Sequence, residues 1–135
     1  MGANSLQLAH QIATSDGLEL PPGALEWLRA GLRRYLAGQA PLEVALGLGG
    51  AARIAARNLA LREAARILDD GQNAPPWEIA GALAQAVSHF ECCALKRCRA
   101  GETHDLSPLQ AALWQAFQAG ATPRRTRRSL YDLLR

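Results

Sequence analysis

The residues in this sequence with the clearest binding chemistry are four arginines near its C-terminal end. They are Arg124, Arg125, Arg127 and Arg128. A helix breaker, the Gly-Ala-Thr-Pro run at 120–123, precedes them, and an apolar run at 130–134 follows, so the pattern predicts a final helix that begins near Arg124 or Arg125. Guanidinium groups and the unpaired N–H groups of a helix start both attract anions. The pattern therefore predicts a surface that binds phosphate or carboxylate.

The positive charge of the protein is concentrated in this C-terminal segment. The net charge is +3, but residues 111–135 alone carry +4 and residues 1–110 carry −1. Such a separation indicates that an anionic partner binds at the C-terminal segment and not over the whole protein surface. Two partners fit this charge pattern: duplex DNA and an acidic protein surface.

The composition predicts an all-α protein. Of 135 residues, 49% are hydrophobic and 20% are charged, which is typical of a folded chain. Alanine and leucine dominate, whereas β-branched and aromatic residues are too few for a large sheet. We expect a single domain of five or six helices over 23–135, with a C-terminal helical hairpin, preceded by a loosely structured N-terminal arm over 1–22.

Apolar periodicity and breakers place the helices within that domain. The predicted helices span about 24–37, 41–46, 51–68, 76–99, 107–119 and from 124 or 125 to 134. The 76–99 helix is the longest, its buried stripe is expected to include Cys93, and it or the 51–68 helix should lie at the centre of the domain. Ser107, Pro108 and Gln110 form the pattern of a capping box with proline at the first helical position.

Two tryptophans are candidates for a contact surface. The stripe expected to be buried on the 24–37 helix consists of Leu25, Leu28, Leu32, Tyr35 and Leu36. Trp27 lies opposite Leu25 on the helical wheel, so it either contacts the N-terminal arm or belongs to an interface. Trp114 lies beside the apolar face of the 107–119 helix and is the second interface candidate.

The last two predicted helices resemble a known DNA-binding motif. The 107–119 helix, the turn at Gly120 and the basic helix that follows have the outline of a helix-turn-helix. The run 126–134, Thr-Arg-Arg-Ser-Leu-Tyr-Asp-Leu-Leu, is similar to the recognition helix of Fis-type helix-turn-helix proteins. That resemblance covers 107–134 and implies that Arg127, Arg128 and Ser129 face the major groove. It also implies that Leu130 and Leu133 face the core, although the turn is about three residues longer than in that family.

No catalytic or metal-binding pattern stands out, and we expect no enzyme activity and no cofactor. Nucleophile elbows, zinc-protease motifs and dinucleotide fingerprints are absent from the sequence. Cys92, Cys93, Cys98 and His89 include the residue types that bind zinc, but they do not converge on one helix face. Only His89 with Cys93, or with Cys92, can share an ion, and a second helix would have to supply the remaining ligands.

The sequence also contains no apolar run long enough to span a membrane and no signal-peptide pattern. Three clustered cysteines do not make a disulfide framework, so we expect a cytoplasmic protein. These features favour a small nucleic-acid-associated accessory or regulatory protein of bacterial or phage type, either monomeric or homodimeric. The alternatives are a helical interaction module, of the phage or mobile-element adaptor or inhibitor type, that docks on an acidic partner, and a metal-dependent function at His89 and Cys93.

Overall fold

The computed structural model describes residues 5–14 and 20–135, which form eight helices and no strand. The helices are α1 (Ser5–Thr14), α2 (Ala24–Leu36), α3 (Leu42–Ala45), α4 (Gly50–Asp69), α5 (Pro76–Cys93), α6 (Leu95–Arg99), α7 (Pro108–Gln118) and α8 (Arg127–Leu134). The predicted all-α class is confirmed. The helix count exceeds five or six because α1 is helical and because the predicted 76–99 helix is divided into α5 and α6.

Contacts along the chain define two compact units, Met1–Arg53 and Ile54–Arg135. The predicted division, an arm over 1–22 and one domain over 23–135, stays a prediction, and residues 1–4 and 15–19 of that arm lie outside the described residues. Within the described helices, none is long and apolar enough to cross a membrane.

In the Met1–Arg53 unit, α2 contacts both α1 and α3. Ala24 and Gly31 are the buried residues of α2, and Ala45 is buried in α3. Gly31 allows α2 and α3 to approach closely, since a Cβ atom there would overlap the Leu46 side chain and lie 3.3 Å from the Ala45 carbonyl oxygen. The indole of Trp27 donates a hydrogen bond to the carbonyl oxygen of Leu46 at 2.9 Å on the same side of α2.

The face of α2 that the leucine pattern predicted as buried is exposed, so that prediction is wrong. Leu25, Leu32 and Leu36 are all exposed to solvent, as is Tyr35, and only Leu28 of the predicted stripe is partly buried. The reason is that α2 uses its small residues for the contact with α3, because a face without bulky side chains permits closer backbone packing. The larger apolar side chains consequently point away from α3.

In the Ile54–Arg135 unit, α5 is the central helix and contacts α6, α7 and α8. Leu83, Val87 and Phe90 of α5 are buried, and Phe90 packs against Phe117 of α7 with ring centroids 5.5 Å apart. One face of α4 completes this core through Ala60, Leu61, Ala64 and Ala65. Ile54 and Leu59 of α4 are exposed, so of the two helices predicted at the centre of the domain it is α5 that lies there.

The predicted 76–99 helix is interrupted at Ala94, whose backbone angles are φ −121° and ψ −27°. In an uninterrupted helix Leu95 would lie about 140° around the axis from Phe90 and would miss the core. The break brings Leu95 into the core, where Cys98 is also buried, whereas Cys93 is exposed rather than buried as predicted. As a result α4, with 20 residues, is the longest of the described helices.

The start of α7 confirms the predicted capping box. The backbone N–H of Gln110 donates to the Ser107 hydroxyl at 3.2 Å, and the Ser107 N–H donates to the Gln110 side chain at 3.0 Å. Both groups would otherwise be unpaired at the helix start. The helix that follows buries Ala112, Leu113 and Ala116.

Candidate anion-binding site at the C-terminal arginines

The C-terminal arginines are positioned by the docking of α8 on α5. Leu130 and Leu133 are buried and join the core cluster that contains Leu83 and Val87. Tyr131 meets Trp77 edge to face with ring centroids 5.5 Å apart. The principal contact of α8 is therefore with α5, whereas the sequence predicted a hairpin with the preceding helix.

The final helix begins later than predicted, at Arg127, because Thr126 caps it. The Thr126 hydroxyl accepts the backbone N–H of Ser129 at 3.2 Å, and threonine is a favoured residue at this position. The Ser129 hydroxyl also hydrogen-bonds with Thr126. Arg124 and Arg125 consequently precede the helix, and only Arg127 and Arg128 occupy its first turn, where the helix dipole disfavours a cation.

Replacing Thr126 with alanine should lower the free energy of unfolding by about 1 kcal/mol, since the Ser129 N–H loses its capping partner. Urea unfolding followed by circular dichroism measures this change. Thr122→Ala is the matched control, because Thr122 is exposed in the preceding turn and its side chain caps no helix. Equal effects of the two replacements would contradict the capping role.

Arg124 lies beside a second arginine, Arg57 of α4. Arg57 donates from Nη1 to the Thr122 carbonyl oxygen at 2.9 Å and from Nε and Nη2 to the Asn58 side chain. Arg124 donates from Nη1 to the Ser129 carbonyl oxygen at 2.9 Å. Burial, and then the positive charge of Arg124, lower the pKa of Arg57 below its ordinary value. Each of the two guanidiniums is thus held by its own neutral oxygen acceptors.

Two other arginines of the cluster are paired with carboxylates. Arg125 lies 3.0 Å from the Glu91 carboxylate of α5. Arg128 lies 3.7 Å from Asp132, one turn further along α8, and Arg135 lies at the same distance from that carboxylate. Because these pairs are largely exposed, each stabilises the fold by at most about 1 kcal/mol and can open to bind another anion.

Arg127 rests on the indole of Trp77 at the start of α5. Its guanidinium carbon is 4.5 Å from the ring centroid, and Nε donates to the Trp77 carbonyl oxygen at 2.9 Å. A Cβ atom at residue 81 would lie 2.9 Å from the Arg127 Nε, so Gly81 leaves room for the side chain to cross α5. This stacking fixes the direction of a guanidinium that has no carboxylate partner within residues 5–14 and 20–135.

The four arginines therefore form an extended row rather than one compact cluster. Glu91 and Trp77, which hold Arg125 and Arg127, are separated by about 21 Å along α5 at 1.5 Å per residue. Two members of this surface, Arg57 and Trp77, were not predicted from the sequence. The only sequence signal for Arg57 was its place at one edge of the apolar face of α4, which does not reveal its neighbour.

The remaining candidate residues lie elsewhere. Trp27 is partly buried in the Met1–Arg53 unit, and Trp114 is partly buried against the core of the other unit. The Cys93 Sγ lies 3.8 Å from Nδ1 of His89, and both residues are exposed. The described residues contain no group of three or more histidine, cysteine, aspartate or glutamate side chains placed to hold a metal ion.

Comparisons with protein-family models, with curated proteins and with solved structures give no match for this chain.

Proposed function

We propose that this protein is a small, non-enzymatic, nucleic-acid-associated accessory or regulatory protein that binds the phosphates of duplex DNA through its C-terminal arginines. The observation that carries the proposal is that Arg57, Arg124 and Arg127 form hydrogen bonds only with neutral oxygen acceptors among the described residues. A phosphate can therefore accept hydrogen bonds from these guanidiniums without breaking an ion pair. Arg57 also lies close enough to Arg124 for the positive charge of Arg124 to add to burial in lowering its pKa.

Arg127 and Arg128 extend this phosphate-binding surface along the first turn of α8. In the part of the chain that the structure describes, Arg127 has only neutral partners, and the side chain of Arg128 is highly exposed. In the helix-turn-helix hypothesis these two residues and Ser129 also contact base edges. The Ser129 hydroxyl is engaged by Thr126, so we assign base contacts mainly to the arginines. We place the protein in the reducing cytoplasm, in keeping with its free cysteines.

The sharpest test compares two double variants in a salt series of duplex-DNA binding measured by fluorescence anisotropy. For Arg57→Gln/Arg124→Gln we expect weaker binding and a plot of log affinity against log salt that is shallower by about 1.8, since each lost phosphate contact removes about 0.9. Circular dichroism and thermal unfolding of each variant establish that the fold is retained.

The matched control is Arg62→Gln/Arg97→Gln, which removes the same charge from exposed positions of α4 and α6. It should leave the slope close to that of the parent. If the parent binds no DNA at low salt, or if both double variants change the slope equally, the proposed site does not bind phosphate.

The second candidate is an interaction module in which the same arginines dock on an acidic protein surface. Trp77 favours this alternative because it is 44% exposed beside Arg127, and tryptophan and arginine dominate the energetics of many protein interfaces. Trp77 replaces Trp27 and Trp114 as the proposed anchor, since both of these are partly buried within their own units. A pulldown with and without nuclease separates the two functions, because only a protein partner is retained after nuclease treatment.

A further inference from the structure

The exposed face of α2 carries a regular row of apolar side chains. Leu25, Leu32 and Leu36 are 48%, 44% and 79% exposed, and Arg29 lies between the first two. The row runs 25, 29, 32 and 36, with alternating steps of four and three residues. That alternation is the a/d seam of a coiled coil, with 25 and 32 at d and 29 and 36 at a.

The two borders of this seam differ in chemistry. Leu28 and Tyr35 occupy the g positions and make one border apolar. Glu26 and Arg33 occupy the e positions on the other border, and both are exposed. Neither forms an ion pair with another described residue, so their charges are free to select a partner.

The exposed faces of two α2 helices match each other only when the helices run in opposite directions. In an antiparallel pair, a positions face d positions, so Leu25 meets the partner's Leu36 and Arg29 meets the partner's Leu32. In that register e faces e, which places Glu26 opposite the partner's Arg33, and g faces g, which places Leu28 opposite the partner's Tyr35. A parallel pair would set e against g and leave both charged residues facing apolar ones.

We propose that a second copy of this chain docks on the exposed face of α2, forming an antiparallel, two-fold symmetric helix pair. A two-fold interface uses the same surface of both copies, as this register does. The Leu25 and Leu36 side chains are then buried at both ends of the pair. The aliphatic part of Arg29 covers the partner's Leu32, and the Arg29 guanidinium stays in solvent at the rim. Opposed helix dipoles add to the preference for this direction.

Pairing of two α2 helices does not depend on the proposed DNA contact. The pairing surface belongs to the Met1–Arg53 unit, whereas the arginine site belongs to Ile54–Arg135. Sedimentation equilibrium of the full chain without nucleic acid therefore tests the pairing alone.

The decisive experiment uses charge reversal at the e positions. Glu26→Arg converts both ionic contacts of the pair to repulsions, and so does Arg33→Glu, so each should weaken dimerisation on the order of tenfold. Mixing the two variants should restore tight pairing as a heterodimer, and the double variant Glu26→Arg/Arg33→Glu should dimerise like the parent. The control reversals Arg62→Glu and Glu102→Arg, both at exposed positions of the other unit, should leave dimerisation unchanged.

Leu36→Asp tests the apolar seam independently. Because Leu36 is exposed in the single chain, this change should preserve the helical circular dichroism while weakening the dimer on the order of a hundredfold or more. A parent protein that stays monomeric over the whole concentration series would overturn the proposal. So would a dimer that survives Leu36→Asp, or one for which the mixed charge variants pair no better than each variant alone.

Discussion

Leu130→Ala should lower the free energy of unfolding of the Ile54–Arg135 unit by about 2–5 kcal/mol. Leu130 is fully buried where α8 docks on the core around α5, so its truncation leaves a cavity as well as removing apolar contacts. Because α8 has only eight residues, it is not stable as a helix without this docking. The amide hydrogens of α8 should consequently exchange with solvent much faster in the variant.

Urea unfolding and hydrogen exchange together measure this effect. Leu59→Ala is the matched control, since Leu59 is 65% exposed in α4 and its truncation should cost less than about 0.5 kcal/mol. If Leu130→Ala proved as mild as Leu59→Ala, the docking of α8 on α5 would not hold the C-terminal helix in place.

The second large effect is expected on DNA binding. In the variant Arg124→Ala/Arg125→Ala/Arg127→Ala/Arg128→Ala, affinity for duplex DNA at low salt should fall by about 100-fold or more, because up to four phosphate contacts are removed. The salt dependence should become shallower by up to about 3.6. Anisotropy titrations with random and genomic duplexes give both quantities and reveal any sequence preference.

A control with the same loss of charge separates a defined site from a general attraction. Four basic residues of the same unit serve for it, and all are exposed: Arg62, Lys96, Arg97 and Arg99. Their replacement with alanine should change affinity far less than the C-terminal variant does. Equal losses in the two variants would mean that DNA responds only to net charge and that the C-terminal arginines form no specific surface.

The helices themselves follow closely from local sequence. Apolar periodicity and glycine or proline breakers placed α2, α4 and α7 to within one or two residues of their observed bounds. The capping box at Ser107 was also correct, because both of its hydrogen bonds form between residues three apart in the chain. Threonine is also a favoured N-cap residue, so Thr126 could have predicted the start of α8. The arginine pattern instead placed that start at Arg124 or Arg125.

The buried face of each helix could not be predicted from local sequence in the same way. A leucine stripe shows which side chains share a face of α2, but the neighbouring α3 packs on the other face because Gly31 permits close approach there. Likewise the break at Ala94 depends on a core that Leu95 reaches only because the regular helix is interrupted. Both outcomes are decided by contacts between elements, which periodicity within one element does not contain.

The all-α class, most helix bounds and the concentration of positive charge after residue 110 could be predicted from the sequence, since helix propensity, capping and charge depend on single residues and their near neighbours. The arrangement of that charge could not be predicted, because it depends on contacts between helices. Docking of α8 on α5 aligns Arg125 with Glu91 and Arg127 with Trp77. The fold also brings Arg57, 67 positions earlier in the chain, beside Arg124, because packing of distant helices places side chains together whatever their separation in sequence.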